Sequence, residues 1–76
     1  MANKITIIKK GQFVYGNDIE NFANKNDYSA EYYGGNVIGE SFIILKHNEK
    51  DITISFILES ATSNQYVYEC VYSDLK

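Results

Sequence analysis

The chain has 76 residues, a formal net charge of −3 and one cysteine, with no proline and no tryptophan. A chain this short holds one domain, and folding buries only about 60% of the surface its unfolded form exposes. Multi-domain enzymes, solenoids and nucleotide-binding folds with several βαβ units do not fit that length.

The segment Ile5-Thr6-Ile7-Ile8 is β-branched throughout and predicts a first strand. Lys10-Gly11 predicts a turn, and Gln12-Phe13-Val14-Tyr15 a second short strand or an extended lead into a helix. Gly16-Asn17 breaks it. Asn17 suits an N-cap, and Glu20 three residues later gives a capping-box pattern. Ile19, Phe22 and Ala23 then form one apolar stripe at helical spacing, which predicts a two-turn helix over 18–25. Such a short helix is marginal alone, so it must pack on a sheet.

Residues 28–33 read as extended, and Gly34-Gly35-Asn36 as a turn. A long strand is predicted over 37–46, with Gly39 as a bulge or bend. His47-Asn48-Glu49-Lys50 is a polar turn. Over 51–59, Ile52, Ile54, Phe56 and Leu58 alternate with Thr53, Ser55, Ile57 and Glu59, the clearest strand pattern in the chain. A loop of turn formers over 60–64 precedes a last strand over 65–73.

The predicted order is ββαββββ. Short turns make the last three strands an antiparallel meander. The predicted fold is a single α+β domain over residues 1–76, an antiparallel sheet of four to five strands with one short helix packed on a face. The alternative is a small, partly closed β-barrel with the helix as a plug.

The longest purely apolar run, Phe42-Ile43-Ile44-Leu45, is far below the roughly 20 residues needed to span a bilayer. The first ten residues show no secretory pattern, so a cytoplasmic protein without membrane contact is expected. Ile, Asn, Lys and Tyr are abundant and arginine is absent. A/T-rich coding accounts for much of that skew, and a bacterial or phage source fits it.

Catalytic and cofactor chemistry finds few of its parts. The one histidine, His47, falls in an exposed turn, and the one cysteine, Cys70, reads as a small buried hydrophobe. Neither has metal-ligand spacing, and no phosphate-binding or nucleophile-elbow pattern occurs. No enzyme activity and no cofactor are expected. An acidic chain without arginine is poorly suited to nucleic acid.

Tyrosine is the informative residue type, with seven copies. Tyr66, Tyr68, Cys70 and Tyr72 share one face of the last strand by alternation, and that face is expected inside. Tyr32 and Tyr33 are successive strand residues, so they point to opposite sides and one must lie near the surface. Tyrosines beside carboxylates suit protein recognition. The candidate partner-binding residues are Glu31, Tyr32, Tyr33, Glu40, Glu59, Tyr66 and Glu69. The carboxylates would steer a basic protein and the tyrosines anchor it. The expected function is that of an acidic inhibitor, an immunity or antitoxin-type protein that occludes a bacterial toxin such as a basic nuclease. A phage-encoded inhibitor of a host defence enzyme and a self-associating structural or assembly subunit, a homo-oligomer built through an edge strand, are the alternatives.

Overall fold

The structure, a computed structural model, describes residues 8–62 and 64–75. The strand predicted at Ile5-Thr6-Ile7-Ile8 lies outside the described residues except for Ile8, which is fully buried. Along the described chain run β1 (Phe13–Tyr15), α1 (Gly16–Lys25), β2 (Tyr28–Tyr33), β3 (Phe42–His47), β4 (Thr53–Ala61) and β5 (Tyr66–Ser73). The predicted α+β architecture is the one found.

The strands form one five-stranded sheet in the order β1-β5-β4-β3-β2. Every neighbouring pair is antiparallel, so the edge strands β1 and β2 run in the same direction. Helix α1 joins these two edges. The sheet stays open, which replaces the barrel alternative. Its edges are kept apart by three intervening strands, and α1 packs on one face instead of filling a closed lumen.

The helix begins one residue after β1, because pairing of Tyr15 with Val67 holds Tyr15 extended. Tyr15 is therefore the N-cap, and it makes no side-chain capping bond. Asn17, the predicted cap, is already helical, and the helix covers Gly16–Lys25, not 18–25. Its apolar stripe is as predicted: Ile19, Phe22 and Ala23 are buried. The far end closes on Asn26, whose backbone N–H and Nδ2 both donate to the Phe22 carbonyl at 3.0 and 2.9 Å. Asp27 then adopts φ +66°, reversing the chain into β2.

Alternation supplies the rest of the core. Val14 of β1, Tyr28 of β2, Ile43 and Leu45 of β3, Ile54, Phe56 and Leu58 of β4, and Tyr68 and Cys70 of β5 are all buried with the α1 stripe and Ile8. Burying each larger apolar side chain contributes about 1.5–3 kcal/mol.

Three predicted strand features are corrected. The strand expected over 37–46 begins only at Phe42, and residues 34–41 form a loop. Ser41 organises that loop: its buried hydroxyl accepts from the Val37 N–H at 2.7 Å and donates to the Gly34 carbonyl at 3.0 Å. Val37 and Ile38, apolar by sequence, are left exposed. Second, β4 extends to Ala61, past the predicted start of the loop at Ser60. Third, Tyr72 does not share a face with Tyr68 and Cys70. Phe56 pairs with Cys70 but the preceding Ser55 pairs with Tyr72, so an irregularity at Val71 turns Tyr72 to the other face. A second register shift, between Leu58 and Ser60, leaves Glu59 as the extra residue.

Candidate functional site on the open face of the sheet

Paired residues of neighbouring strands point to the same side. One such row crosses all five strands on the face opposite the core: Phe13, Glu69, Ile57, Phe42 and Tyr33. With strands about 4.8 Å apart, the row is about 19 Å long. A second row, Tyr72, Ser55, Ile44 and Glu31, lies beside it, and Tyr15 with Val67 flanks it on the other side. Phe13 is 60% exposed, Tyr33 49% and Tyr72 50%. Among the described residues, no helix or loop contributes to the buried core from this side.

An antiparallel sheet with one solvated face normally alternates apolar and polar residues. Strand β3 breaks that rule, because Phe42 and Ile44 face outward while Ile43 and Leu45 face the core. Ile57 breaks it in β4. The face is thus aromatic and aliphatic at its centre and carries carboxylates among those groups.

The described strands contain three carboxylates, Glu31, Glu59 and Glu69, and one lysine, Lys46. Lys46 Nζ lies 3.8 Å from Glu31 Oε1, with both side chains largely exposed. Such a pair contributes about 0–1 kcal/mol. The Tyr33 hydroxyl donates to the same Glu31 oxygen at 2.7 Å. That bond, followed by the charge of Glu31, raises the phenol above its ordinary pKa.

The structure thus brings Glu31, Tyr33 and Glu69 together on the open face, with Glu59 exposed at the β4 irregularity. Tyr32 and Tyr66 lie on the opposite side of the sheet, and Glu40 is exposed in the 34–41 loop. Phe13, Phe42, Ile57 and Tyr72 are not among the candidate partner-binding residues read from sequence. The outward Phe42 and Ile44 beside an inward Ile43 and Leu45 were the available signal. Tyr72 had none, because its face depends on the irregularity at Val71.

Tyr32 and Tyr66 help to line a cavity of about 420 Å³ beside the start of α1. Tyr32 donates its hydroxyl to Glu20 Oε2 at 3.1 Å across its wall. His47 was expected in an exposed turn. It instead ends β3 half-buried, its ring edge-on to Tyr28 at 4.9 Å, and its Nδ1 accepts the N–H groups of Glu49 and Lys50. Cys70 is fully buried. Burial pushes its thiol pKa up, which keeps it protonated and unreactive. Among the described residues, no three His, Cys, Asp or Glu side chains are grouped to hold a metal.

No protein-family model matches the chain, and neither a curated protein nor a solved structure matches it. The functional reading therefore rests on the two faces of the sheet. Among the described residues, no helix is long and apolar enough to cross a membrane.

Proposed function

We propose that the protein is an acidic binding module that docks a basic protein on the open face of its sheet. In its most specific form, this is an inhibitor of the immunity or antitoxin type, which neutralises a bacterial toxin such as a basic nuclease by covering its working surface. The observation that carries the reading is the row Phe13–Glu69–Ile57–Phe42–Tyr33, an apolar strip exposed at Phe13, Phe42 and Tyr33, half-buried at Ile57 and Glu69, and interrupted and bordered by carboxylates.

Each part has a physical role. Carboxylates attract a basic partner over distance and raise its association rate. Phe13, Phe42 and Tyr33 then lose water on contact, and aromatic side chains dominate interface energetics. A standard interface covers about 800 Å² per partner. A molecule with Cα extents of 32 × 30 × 20 Å has room for one on a broad face. Occlusion needs no catalytic group on the inhibitor.

The test is paired capture from a bacterial lysate, using the wild-type protein and the double variant Phe42→Ser, Glu69→Lys. The expected result is one basic protein held at low salt by wild type, released at high salt, and not held by the variant. That protein, purified, must then bind wild type alone with the same salt dependence and lose its own activity in the complex. Recovery of no basic protein at low salt overturns the proposal. So does light scattering that finds the open face closed in a homodimer, dispersed by the same double variant.

A further inference from the structure

We infer that the cavity beside the start of α1 is a binding site for an organic cation, an ammonium or guanidinium group. This site lies across the sheet from the docking face and does not depend on it. At about 420 Å³ it falls within the size range of small-ligand sites.

The chemistry of the walls selects the ligand. Three tyrosines, Tyr32 from β2 and Tyr66 and Tyr68 from β5, line the cavity, with Ile43 as an apolar wall. Glu20 from α1 supplies a carboxylate, and the remaining polar lining is amide and hydroxyl. Among the described residues, no lysine or histidine contributes to the lining. An anion therefore meets no opposite side-chain charge. A cation meets a full carboxylate charge beside three tyrosine rings, the combination that recognises ammonium and guanidinium groups.

The helix start works against this only in part. Gly16 and Asn17 bring the N-terminus of α1 to the cavity. Its dipole corresponds to roughly +0.5 charge. The Glu20 carboxylate carries a whole negative charge, so the balance stays negative. Burial raises the Tyr32 and Tyr68 phenols first, and Glu20 adds to the rise in each. Gly16 helps to keep the site open. A Cβ there would lie 3.4 Å from Tyr68 Cε1 and 3.9 Å from Tyr66 Cβ, in the space between helix and rings.

The ammonium or guanidinium group has two sources, a free small molecule or a lysine or arginine side chain of another protein. The experiment titrates the full chain, by amide and tyrosine-ring NMR shifts, with N-acetyl-arginine methyl ester and its neutral isostere N-acetyl-citrulline methyl ester. A blocked Gly-Arg-Gly tripeptide forms a third arm. Shifts are expected at Gly16, Tyr32, Tyr66 and Tyr68, saturating at millimolar arginine ester. The citrulline ester should bind about tenfold more weakly, in line with the loss of a charge-assisted contact. Glu20→Gln should weaken arginine binding about as much, with an unchanged circular dichroism spectrum because Glu20 is exposed. Tighter binding of the ester assigns a small-molecule ligand, and tighter binding of the tripeptide assigns a protein side chain. Phe42→Ser, on the docking face, should leave these affinities unchanged, which separates the two sites. Equal binding of the citrulline ester, indifference to Glu20→Gln, or no shifts at the cavity overturns the inference.

Discussion

Tyr33 donates its hydroxyl to Glu31 Oε1 at 2.7 Å, two residues back on the same strand and the same face. The bond ties the ring at one end of the aromatic row to a carboxylate of the neighbouring row. Aromatic contact and negative charge are thereby held on one surface.

This pair also belongs to an alkaline transition. Tyr28 and Tyr68 are raised first by burial, and Tyr32 by burial and then its bond to Glu20. Tyr33 and Tyr72 are raised first by their bonds to Glu31 and Asp74. A raised phenol holds its proton in the folded state where the unfolded chain has released it. The folded state then binds more protons, so stability falls as pH rises. The contribution is complete below the unfolded tyrosine pKa of about 10 and is lost as pH climbs through the folded values. Urea midpoints measured from about pH 7 upward should be flat at first, begin to fall at about pH 8.5, where the unfolded chain releases the Cys70 proton that burial retains in the fold, and fall further above about pH 10. A midpoint that stays level through that range contradicts the assignment.

Phe56 is fully buried in the central strand. Phe56→Ala should cost about 3–5 kcal/mol. At about 0.05–0.15 kcal/mol per residue, a chain this short has about 4–11 kcal/mol in total. The variant should therefore retain between nothing and about 8 kcal/mol, seen as a lost or strongly lowered urea midpoint. Wild-type stability in the variant would show that the core does not centre on β4.

Cys70 is fully buried, with its Sγ donating to the Tyr72 carbonyl at 3.3 Å. An aromatic disulfide reagent should label it only as fast as the protein opens. Labelling should accelerate steeply across the urea transition. Prompt labelling of the native protein at neutral pH would show the thiol to be accessible.

Gly34 has φ +82°, and a Cβ there would run into the Glu40 carbonyl oxygen across the loop. Gly35 has φ +66° with open space around it. Gly35→Ala should cost about 1 kcal/mol for the left-handed backbone alone. Gly34→Ala should cost clearly more, because backbone must move as well. Equal losses in thermal unfolding would place the two sides of the loop further apart than described.

The amino-acid sequence by itself determined the fold class, the helix and the inward set of β4. Those depend on local periodicity: Ile19, Phe22 and Ala23 at helical spacing, and Ile54, Phe56 and Leu58 at strand spacing. The tyrosine pair was legible for the same reason, since successive strand residues must part, and both Tyr32 and Tyr33 are exposed. Tertiary structure decided the rest. Pairing of Tyr15 with Val67 moved the helix start ahead of Asn17. The hydroxyl of Ser41 gathered Val37 and Ile38 into a loop that local β-propensity had read as strand. The irregularity at Val71 sent Tyr72 to the open face. The first and third depend on a partner strand distant in sequence and the second on side-chain bonds inside the loop, neither of which periodicity reports. The count of 76 residues and the −3 charge limited the chemistry. Strand register alone placed Phe13, Glu69, Ile57, Phe42 and Tyr33 in one row, because a face is defined by pairing between strands and not within any one of them.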